Sequence, residues 1–183
     1  SKYLKEKGKL ANNAIVATVM SNLGLKKYAE ENGITIKQTK VGDRYVLEEM
    51  LKEGYNLGGE QSGHVILLDY NPTGDGILTS LMLIQAILEA NKTASQMAEI
   101  IKLYPQVLVN AKVNADKKYD YNKDTEIQEA IEKLEKEFAG NGRVLIRPSG
   151  TEPLVRVMIE GEDQEYITKK AKEIADLIEK KLK

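Results

Sequence analysis

The chain has 183 residues, of which 42% are hydrophobic and 30% charged, a composition typical of a globular protein with one large domain or two small ones. Its 27 basic and 28 acidic residues give a net charge of −1, which argues against a nucleic-acid or membrane partner. The absence of cysteine and the single histidine exclude disulfides, thiolate metal sites and histidine-rich metal sites. No apolar stretch is as long as a membrane span and none resembles a signal peptide, so we expect a cytoplasmic protein.

Short apolar strands alternate with amphipathic helices over the first hundred residues, which indicates a layered α/β domain. Ser21 and Thr93 are placed to cap helices, and Gly33 suits the position just after a helix. The run at 77–92 is so apolar that we expect it to be buried over most of its surface. The predicted elements are a helix end at 1–8, strands at 12–20, 34–40 and 64–69, and helices at 21–31, 43–54, 77–92 and 93–102.

The pattern changes after about residue 103. An extended stretch at 104–114 enters a strand, a charged loop covers 114–124, and an amphipathic helix covers 125–142. Two adjacent strands joined by a polar loop follow, and a last amphipathic helix spans about 163–182. This β–α–β–β–α order predicts a small α+β domain. The expected domains are therefore 1–105 and 106–183.

The loop between the last two strands, "RPSGTEPLVR", concentrates hydrogen-bond donors. Arg147 and Arg156 suit bidentate contacts to phosphate, and Ser149 and Thr151 add hydroxyls. Gly150 lets the backbone approach a ligand, and successive amides in such a turn can bind an anion. A hairpin loop that needs proline and glycine only for its turn is the alternative.

A second candidate site is the glycine-rich stretch "GGEQSGH" at 58–64. Glu60 and Ser62 pair an acceptor with a donor, which suits the recognition of sugar hydroxyls. His64 adds an imidazole, a group suited to proton transfer or phosphate binding. A glycine-rich turn with incidental polar residues is the alternative.

Two further stretches follow predicted strands. Lys40 ends one strand, where ligands gather in α/β folds, and a lysine with a lowered pKa is a candidate proton donor. Asp43 is expected to cap the next helix, and Arg44 to lie on the surface of that helix. The stretch "DYNPTGDG" matches no calcium loop in its spacing, so Thr73 or Asp75 is expected to cap the helix after it.

These motifs together resemble the α-D-phosphohexomutase family, whose members have four domains. "GEQSGH" is similar to the family's sugar-binding loop in the third domain, and "RPSGTEP" to its phosphate-binding loop in the fourth. With "ATVMSNLG", "TKVGDRYV" and "DYNPTGDG", the resemblance covers essentially the whole chain. Gln61 and "VGDRYV" favour the branch that acts on glucosamine phosphates. The resemblance implies an α/β/α domain with a mixed sheet, followed by a small α+β domain like that of the TATA-box-binding protein.

The resemblance also implies an activity. Such enzymes interconvert glucosamine 6-phosphate and glucosamine 1-phosphate through a phosphoserine and a glucosamine 1,6-bisphosphate intermediate, with Mg²⁺ held by three aspartates. The product leads to UDP-N-acetylglucosamine and peptidoglycan. Neither the serine loop nor the metal loop occurs among these residues, so we expect a chain that corresponds to domains three and four and is inactive without domains one and two.

The family's site residues carry over onto matching positions. Glu60 and Ser62 would hold sugar hydroxyls with His64 nearby, and Lys40 would act as a proton donor or stabiliser beside Asp43 and Arg44. The phosphate distant from the reacting one would be held by Arg147, Ser149, Gly150, Thr151 and Arg156. A phosphohexomutase specific for glucose or mannose phosphates, or a non-catalytic module that binds sugar phosphates, is the alternative.

Overall fold

The computed structural model describes all residues from Ser1 to Lys183. The chain forms two compact units, Ser1–Leu103 and Tyr104–Lys183, and each has its own sheet and hydrophobic core. None of the helices combines the length and the apolar character that crossing a membrane requires.

The first unit contains a mixed sheet, as predicted, but with four strands where the sequence indicates three. Its strands are β1 (Ala14–Thr18), β2 (Thr35–Thr39), β3 (Leu57–Gly59) and β4 (Val65–Leu67), in the order β2-β1-β3-β4. β1 runs parallel to β2 and β3, whereas β4 is antiparallel to β3. The helices are α1 (Lys2–Glu6), α2 (Leu23–Glu31), α3 (Asp43–Glu53), α4 (Gly76–Ala90) and α5 (Ala94–Ala98).

Helices cover both faces of this sheet because successive side chains of a strand point to opposite sides. On one face, Val16 of β1 belongs to a cluster with Met50 of α3. On the other face, Ile15 clusters with Ala29 of α2, and Leu78 of α4 packs against that cluster. The predicted α/β/α layering is thereby confirmed.

Local hydrogen bonds decide where the helices begin: they replace the predicted cap of α2 and decide between the two predicted caps of α4. Asn22, and not Ser21, caps α2, since its side-chain oxygen accepts the Gly24 amide at 2.9 Å. Asp75, and not Thr73, caps α4 through the Leu78 amide at 2.9 Å. Thr93 forms the expected cap of α5, but that helix ends at Ala98, short of the predicted residue 102.

The expectation that α4 is buried over most of its surface is wrong. Only one side of the helix meets the core of this unit, and Ala86 is its single buried residue. Four apolar side chains on the other side are 52–78% exposed, and their spacing of three and four residues aligns them in one stripe. This α4 stripe comprises Ile77, Leu81, Ile84 and Leu88. An apolar composition cannot reveal on its own which side of a helix has a packing partner.

The second unit has the predicted β–α–β–β–α order. Its elements are β5 (Gln106–Lys112), α6 (Thr125–Phe138), β6 (Gly142–Pro148), β7 (Leu154–Gly161) and α7 (Gln164–Leu182). The antiparallel sheet has the order β5-β7-β6. Val155, Val157 and Ile159 of the central strand are fully buried in a core with residues of both helices, such as Ile127 and Ile178. The sheet therefore holds the loop between β6 and β7 on a rigid base.

Candidate functional site

The parallel strands bring two of the predicted site segments to one edge of the first sheet. β1, β2 and β3 end at Thr18, Thr39 and Gly59, and Thr18 pairs in register with Thr39. Lys40 follows β2 directly, and Glu60 follows β3. Since ligands of α/β folds gather at the carboxyl ends of strands, this edge is the candidate sugar site of the first unit.

A hydrogen bond joins these two segments. The Glu60 carboxylate accepts the backbone N–H of Gly42 at 2.8 Å. Only 10% of the Glu60 side chain is exposed, so the carboxylate is held in place. Its second oxygen lies 4.0 Å from Nδ1 of His64. The sequence did not reveal this contact between the Gly42 amide and Glu60.

A tight turn presents the remaining polar groups of "EQSGH". The Glu60 amide donates to the His64 carbonyl at 2.9 Å, and the Gly63 amide donates to the Glu60 carbonyl at 3.1 Å. Gly63 has a φ of +103°, a conformation that side chains rarely adopt. The Ser62 hydroxyl lies 3.1 Å from Nδ1 of His64, and both residues are exposed. The turn thus offers a hydroxyl, an imidazole and a carboxylate beside one another.

Three predicted neighbours have different surroundings. Lys40 is exposed, and its ammonium forms neither an ion pair nor a hydrogen bond in the structure. Asp43 is not the cap of α3, because that position belongs to Gly42; its carboxylate accepts the adjacent Arg44 amide at 2.8 Å. Arg44 lies on the helix surface and pairs with Glu48 at 2.8 Å, and the hydrogen bond to that carboxylate raises its pKa.

A cavity of about 500 Å³ also opens in the first unit, where Glu60 and Gln61 contribute to its wall. Most of its lining is apolar and includes Ile15, Leu57 and Val65. Such walls offer few hydrogen bonds to a ligand rich in hydroxyls. The cavity is therefore not assigned to the candidate sugar site.

The second predicted site is the phosphate loop, residues 147–153, with Arg156 beside it on β7. The strand register places Arg147 directly opposite Arg156 and Pro148 opposite Val155. The Ser149 amide donates to the Leu154 carbonyl at 2.8 Å and closes the loop. Directly opposite residues of antiparallel strands project on the same side of a sheet, so the two guanidinium groups start from neighbouring positions.

The electrostatics of this loop favour an anion. Nε of Arg147 and Nε of Arg156 are both buried without a hydrogen-bond acceptor. Burial, and then the charge of Arg156, lower the pKa of Arg147. The Glu152 carboxylate lies 3.4 Å from the Arg156 guanidinium and offsets part of the positive charge of the two arginines. Buried donors without acceptors are costly, and two neighbouring arginines with only one partial counter-ion favour a bound anion.

The backbone of the loop adds further donors. Gly150 and Thr151 are exposed residues, and their backbone amides have no acceptor in the protein. Ser149 differs, since it is 2% exposed and its hydroxyl oxygen accepts the Glu152 amide at 3.2 Å. The structure therefore places Ser149 where it shapes the loop, while both arginines and two amides remain available to a ligand.

Sequence reasoning missed two residues near the phosphate loop. The Lys118 ammonium donates to the Ser149 carbonyl at 3.0 Å. Asn110 lies opposite Arg156 in the strand register, so Asn110, Arg156 and Arg147 form one row across the sheet. Lys118 belongs to a charged loop in which no pattern distinguishes it, whereas Asn110 needs the strand register to be known.

Comparisons with known families agree with this architecture. The model of the phosphoglucomutase/phosphomannomutase alpha/beta/alpha domain III matches residues 1–104, and that of the C-terminal domain matches residues 108–177. The chain therefore belongs to the phosphoglucomutase/phosphomannomutase family, and the predicted family resemblance is confirmed.

Individual members of this family share more than half of their aligned residues with the chain. The phosphoglucosamine mutase of Ruminiclostridium cellulolyticum is 59% identical over 180 residues, and that of Caldicellulosiruptor bescii is 62% identical over 179. Each alignment covers 98% of this chain and 40% of the relative. The chain thus spans about 40% of the length of the curated relatives it matches.

Solved structures share the fold at lower identity. The N-acetylphosphoglucosamine mutase of Aspergillus fumigatus has a TM-score of 0.77 at 20% identity, with 97% of this chain and 40% of that chain covered. An N-acetylglucosamine-phosphate mutase in its substrate complex has a TM-score of 0.73 at 23% identity, with 90% and 38% covered. Both likenesses support the α/β architecture described above.

Proposed function

We propose that the chain is the carboxyl-terminal part of a phosphoglucosamine mutase. The complete enzyme would interconvert glucosamine 6-phosphate and glucosamine 1-phosphate through a phosphoserine and a glucosamine 1,6-bisphosphate intermediate. Identity near 60% with phosphoglucosamine mutases over 98% of the chain supports this choice of substrate. The observation that carries the role of this part is the Arg147–Arg156 pair, whose buried Nε donors have no acceptor.

The two units supply different parts of substrate recognition in this proposal. In Ser1–Leu103, Glu60 accepts hydrogen bonds from sugar hydroxyls, while Ser62 and His64 offer donors. Lys40 follows β2 with a free ammonium and is assigned as proton donor or stabiliser at the reacting oxygen. In Tyr104–Lys183, the phosphate loop binds the phosphate that is not transferred.

In the phosphate loop, the proposed contacts come from two kinds of donor. Arg147 and Arg156 provide charge and fixed fork geometry, and the Gly150 and Thr151 amides provide short-range donors. Ser149 and Thr151 also carry hydroxyls, but Ser149 is assigned mainly to loop shape because it is buried against the Glu152 amide. These roles fit a dianionic group, which accepts several charge-assisted hydrogen bonds at once.

Phosphoryl transfer is assigned to residues outside this chain. An A. fumigatus N-acetylphosphoglucosamine mutase has been solved with GlcNAc-6P and magnesium. The described residues contain no group of three or more His, Asp or Glu side chains arranged to hold a metal ion. The Mg²⁺ and the phosphoserine are therefore proposed to belong to preceding domains, where the metal would neutralise developing phosphate charge.

Those preceding domains are also the proposed partner of this chain. The relatives are about 2.5 times as long as the matched region, since the match covers 40% of each. The α4 stripe offers an apolar surface of the kind that protein contacts cover. We place the complete enzyme in the cytoplasm, where its product would supply UDP-N-acetylglucosamine for peptidoglycan.

Calorimetry with the purified 183-residue chain tests this function. We expect glucosamine 6-phosphate and inorganic phosphate to bind, glucosamine alone to bind more weakly, and no conversion to glucosamine 1-phosphate in a coupled assay. Turnover by the chain alone would overturn the assignment of phosphoryl transfer to other domains. Failure to bind any phosphate would overturn the role of the phosphate loop, and tighter binding of glucose or mannose 6-phosphate would favour another phosphohexomutase.

A further inference from the structure

Lys118 makes an unusual contact beside the phosphate loop. Its ammonium donates to the Ser149 carbonyl at 3.0 Å, across 31 residues of sequence, and the side chain is partly buried. It lies 5.4 Å from the centre of the Tyr119 ring and forms no ion pair with a carboxylate. The charge of Lys118 thus lies against the phosphate loop, in which Arg147 already stands opposite Arg156.

Peptide geometry gives this contact a consequence for ligand binding. A trans peptide is planar, and its carbonyl and amide point in opposite directions. When Lys118 holds the Ser149 carbonyl, the amide of Gly150 in the same peptide is turned away from Lys118. Gly150 is an exposed residue, and its amide has no acceptor in the protein.

We propose that Lys118 is a positioning residue of the phosphate loop, and that it fixes the Ser149–Gly150 peptide so that the Gly150 amide can bind phosphate. The inference rests on the proposed function of the loop and adds a residue from outside it. Fixing the peptide in advance lowers the entropy lost when the ligand binds. The positive charge of Lys118 also raises the local potential for an anion.

The segment that carries Lys118 is itself attached to both ends of the loop. The Val113 amide donates to the Pro153 carbonyl at 3.1 Å. On the other shoulder, the Tyr121 hydroxyl donates to the Ile146 carbonyl at 3.3 Å. Lys118 therefore starts from a backbone whose position is fixed relative to the loop, as a positioning residue requires.

Phosphate titrations of three variants of the full 183-residue chain test the proposal. Lys118→Met keeps the aliphatic stem and removes the ammonium, whereas Lys118→Arg retains a charged donor. Lys117→Met is the matched control, because the ammonium of Lys117 donates instead to the Lys183 carbonyl. With inorganic phosphate as the probe, we expect Lys118→Met to weaken binding roughly tenfold, Lys118→Arg to recover part of it, and Lys117→Met to match the wild type.

The Gly150 amide gives a readout that a general loss of stability would not move. In ¹⁵N spectra, we expect phosphate to shift this resonance in the wild type, and Lys118→Met to change its position before phosphate is added. Thermal midpoints without phosphate should agree within error among the variants.

The possible failures are distinguishable. If the wild type does not bind phosphate, the proposed function of the loop is wrong. If the wild type binds and Lys118→Met binds equally well, only the role of Lys118 is overturned. Weaker phosphate binding by Lys118→Met with an unchanged Gly150 resonance would also overturn positioning, and it would indicate direct contact between Lys118 and phosphate. If the loss of binding is matched by a loss of thermal stability without phosphate, Lys118 stabilises the fold and does not position the loop.

Discussion

The turn at residues 60–64 and the phosphate loop differ in how far the protein satisfies their polar groups by itself. Glu60 already accepts the Gly42 amide, and Ser62 lies within hydrogen-bond distance of His64. In the phosphate loop, by contrast, two buried Nε donors have no acceptor. Two arginines also face each other across the strands.

The difference reflects the chemistry of the proposed ligands. A sugar hydroxyl both donates and accepts, so a site for it can be held together by internal hydrogen bonds that water or ligand readily supplements. A phosphate only supplies acceptors and charge, and the protein must keep donors and positive charge available for it. These unsatisfied groups make the free phosphate loop less stable, and they increase its affinity for phosphate.

Removing one arginine should produce the largest effect. In Arg147→Met we expect phosphate affinity to fall roughly thirtyfold, about 2 kcal/mol, through loss of charge-assisted hydrogen bonds. The free energy of unfolding without phosphate should stay level or rise, because the change removes a buried donor and a like-charge neighbour. Calorimetry and urea denaturation measure the two quantities.

The control for that experiment is Lys52→Met. Lys52 is an exposed residue of the first unit that pairs with Glu49 and Glu53, so the variant has the same net charge as Arg147→Met. Its phosphate affinity should equal that of the wild type. A large loss of stability in Arg147→Met would contradict the view that the arginine pair is kept for its ligand.

The sugar turn should show the opposite behaviour. In Glu60→Ala we expect the free energy of unfolding to fall by about 1–2 kcal/mol, because the Gly42 amide loses its acceptor. Glu60→Gln retains a side-chain oxygen and should lose less. Urea denaturation of the two variants measures the difference, and an unchanged Glu60→Ala would show that the internal hydrogen bond does not hold the turn.

Local sequence signals predicted much of the fold because the responsible interactions are local. The apolar alternation of β2 and the stop at Gly54, which has a φ of +73°, require only neighbouring residues. β3 was missed because Leu57–Gly59 is short and rich in glycine, and only pairing with β1 and β4 makes it a strand.

The sequence predicted some residues of the candidate sites and not others. The motifs located Glu60, Arg147 and their neighbours, since glycine, arginine and hydroxyl residues cluster there in sequence. Lys118 and the Gly42 amide contact these motifs only after the chain has folded, so no local pattern identifies them. The exposed α4 stripe was missed for a related reason, because burial depends on partners that lie elsewhere.

The smallest predicted effects are the changes in unfolding free energy when Gly63 of the turn and Gly150 of the phosphate loop are replaced by alanine. Gly63 has a φ of +103°, so Gly63→Ala should cost about 1 kcal/mol of unfolding free energy. Gly150 has no positive φ, and nothing lies within 4 Å of an added Cβ, so Gly150→Ala should change stability by less than about 0.5 kcal/mol. Urea denaturation compares the pair. Equal costs would mean that both loops need glycine for backbone conformation, whereas a neutral Gly150→Ala with weaker phosphate binding would show that this glycine keeps space for the ligand.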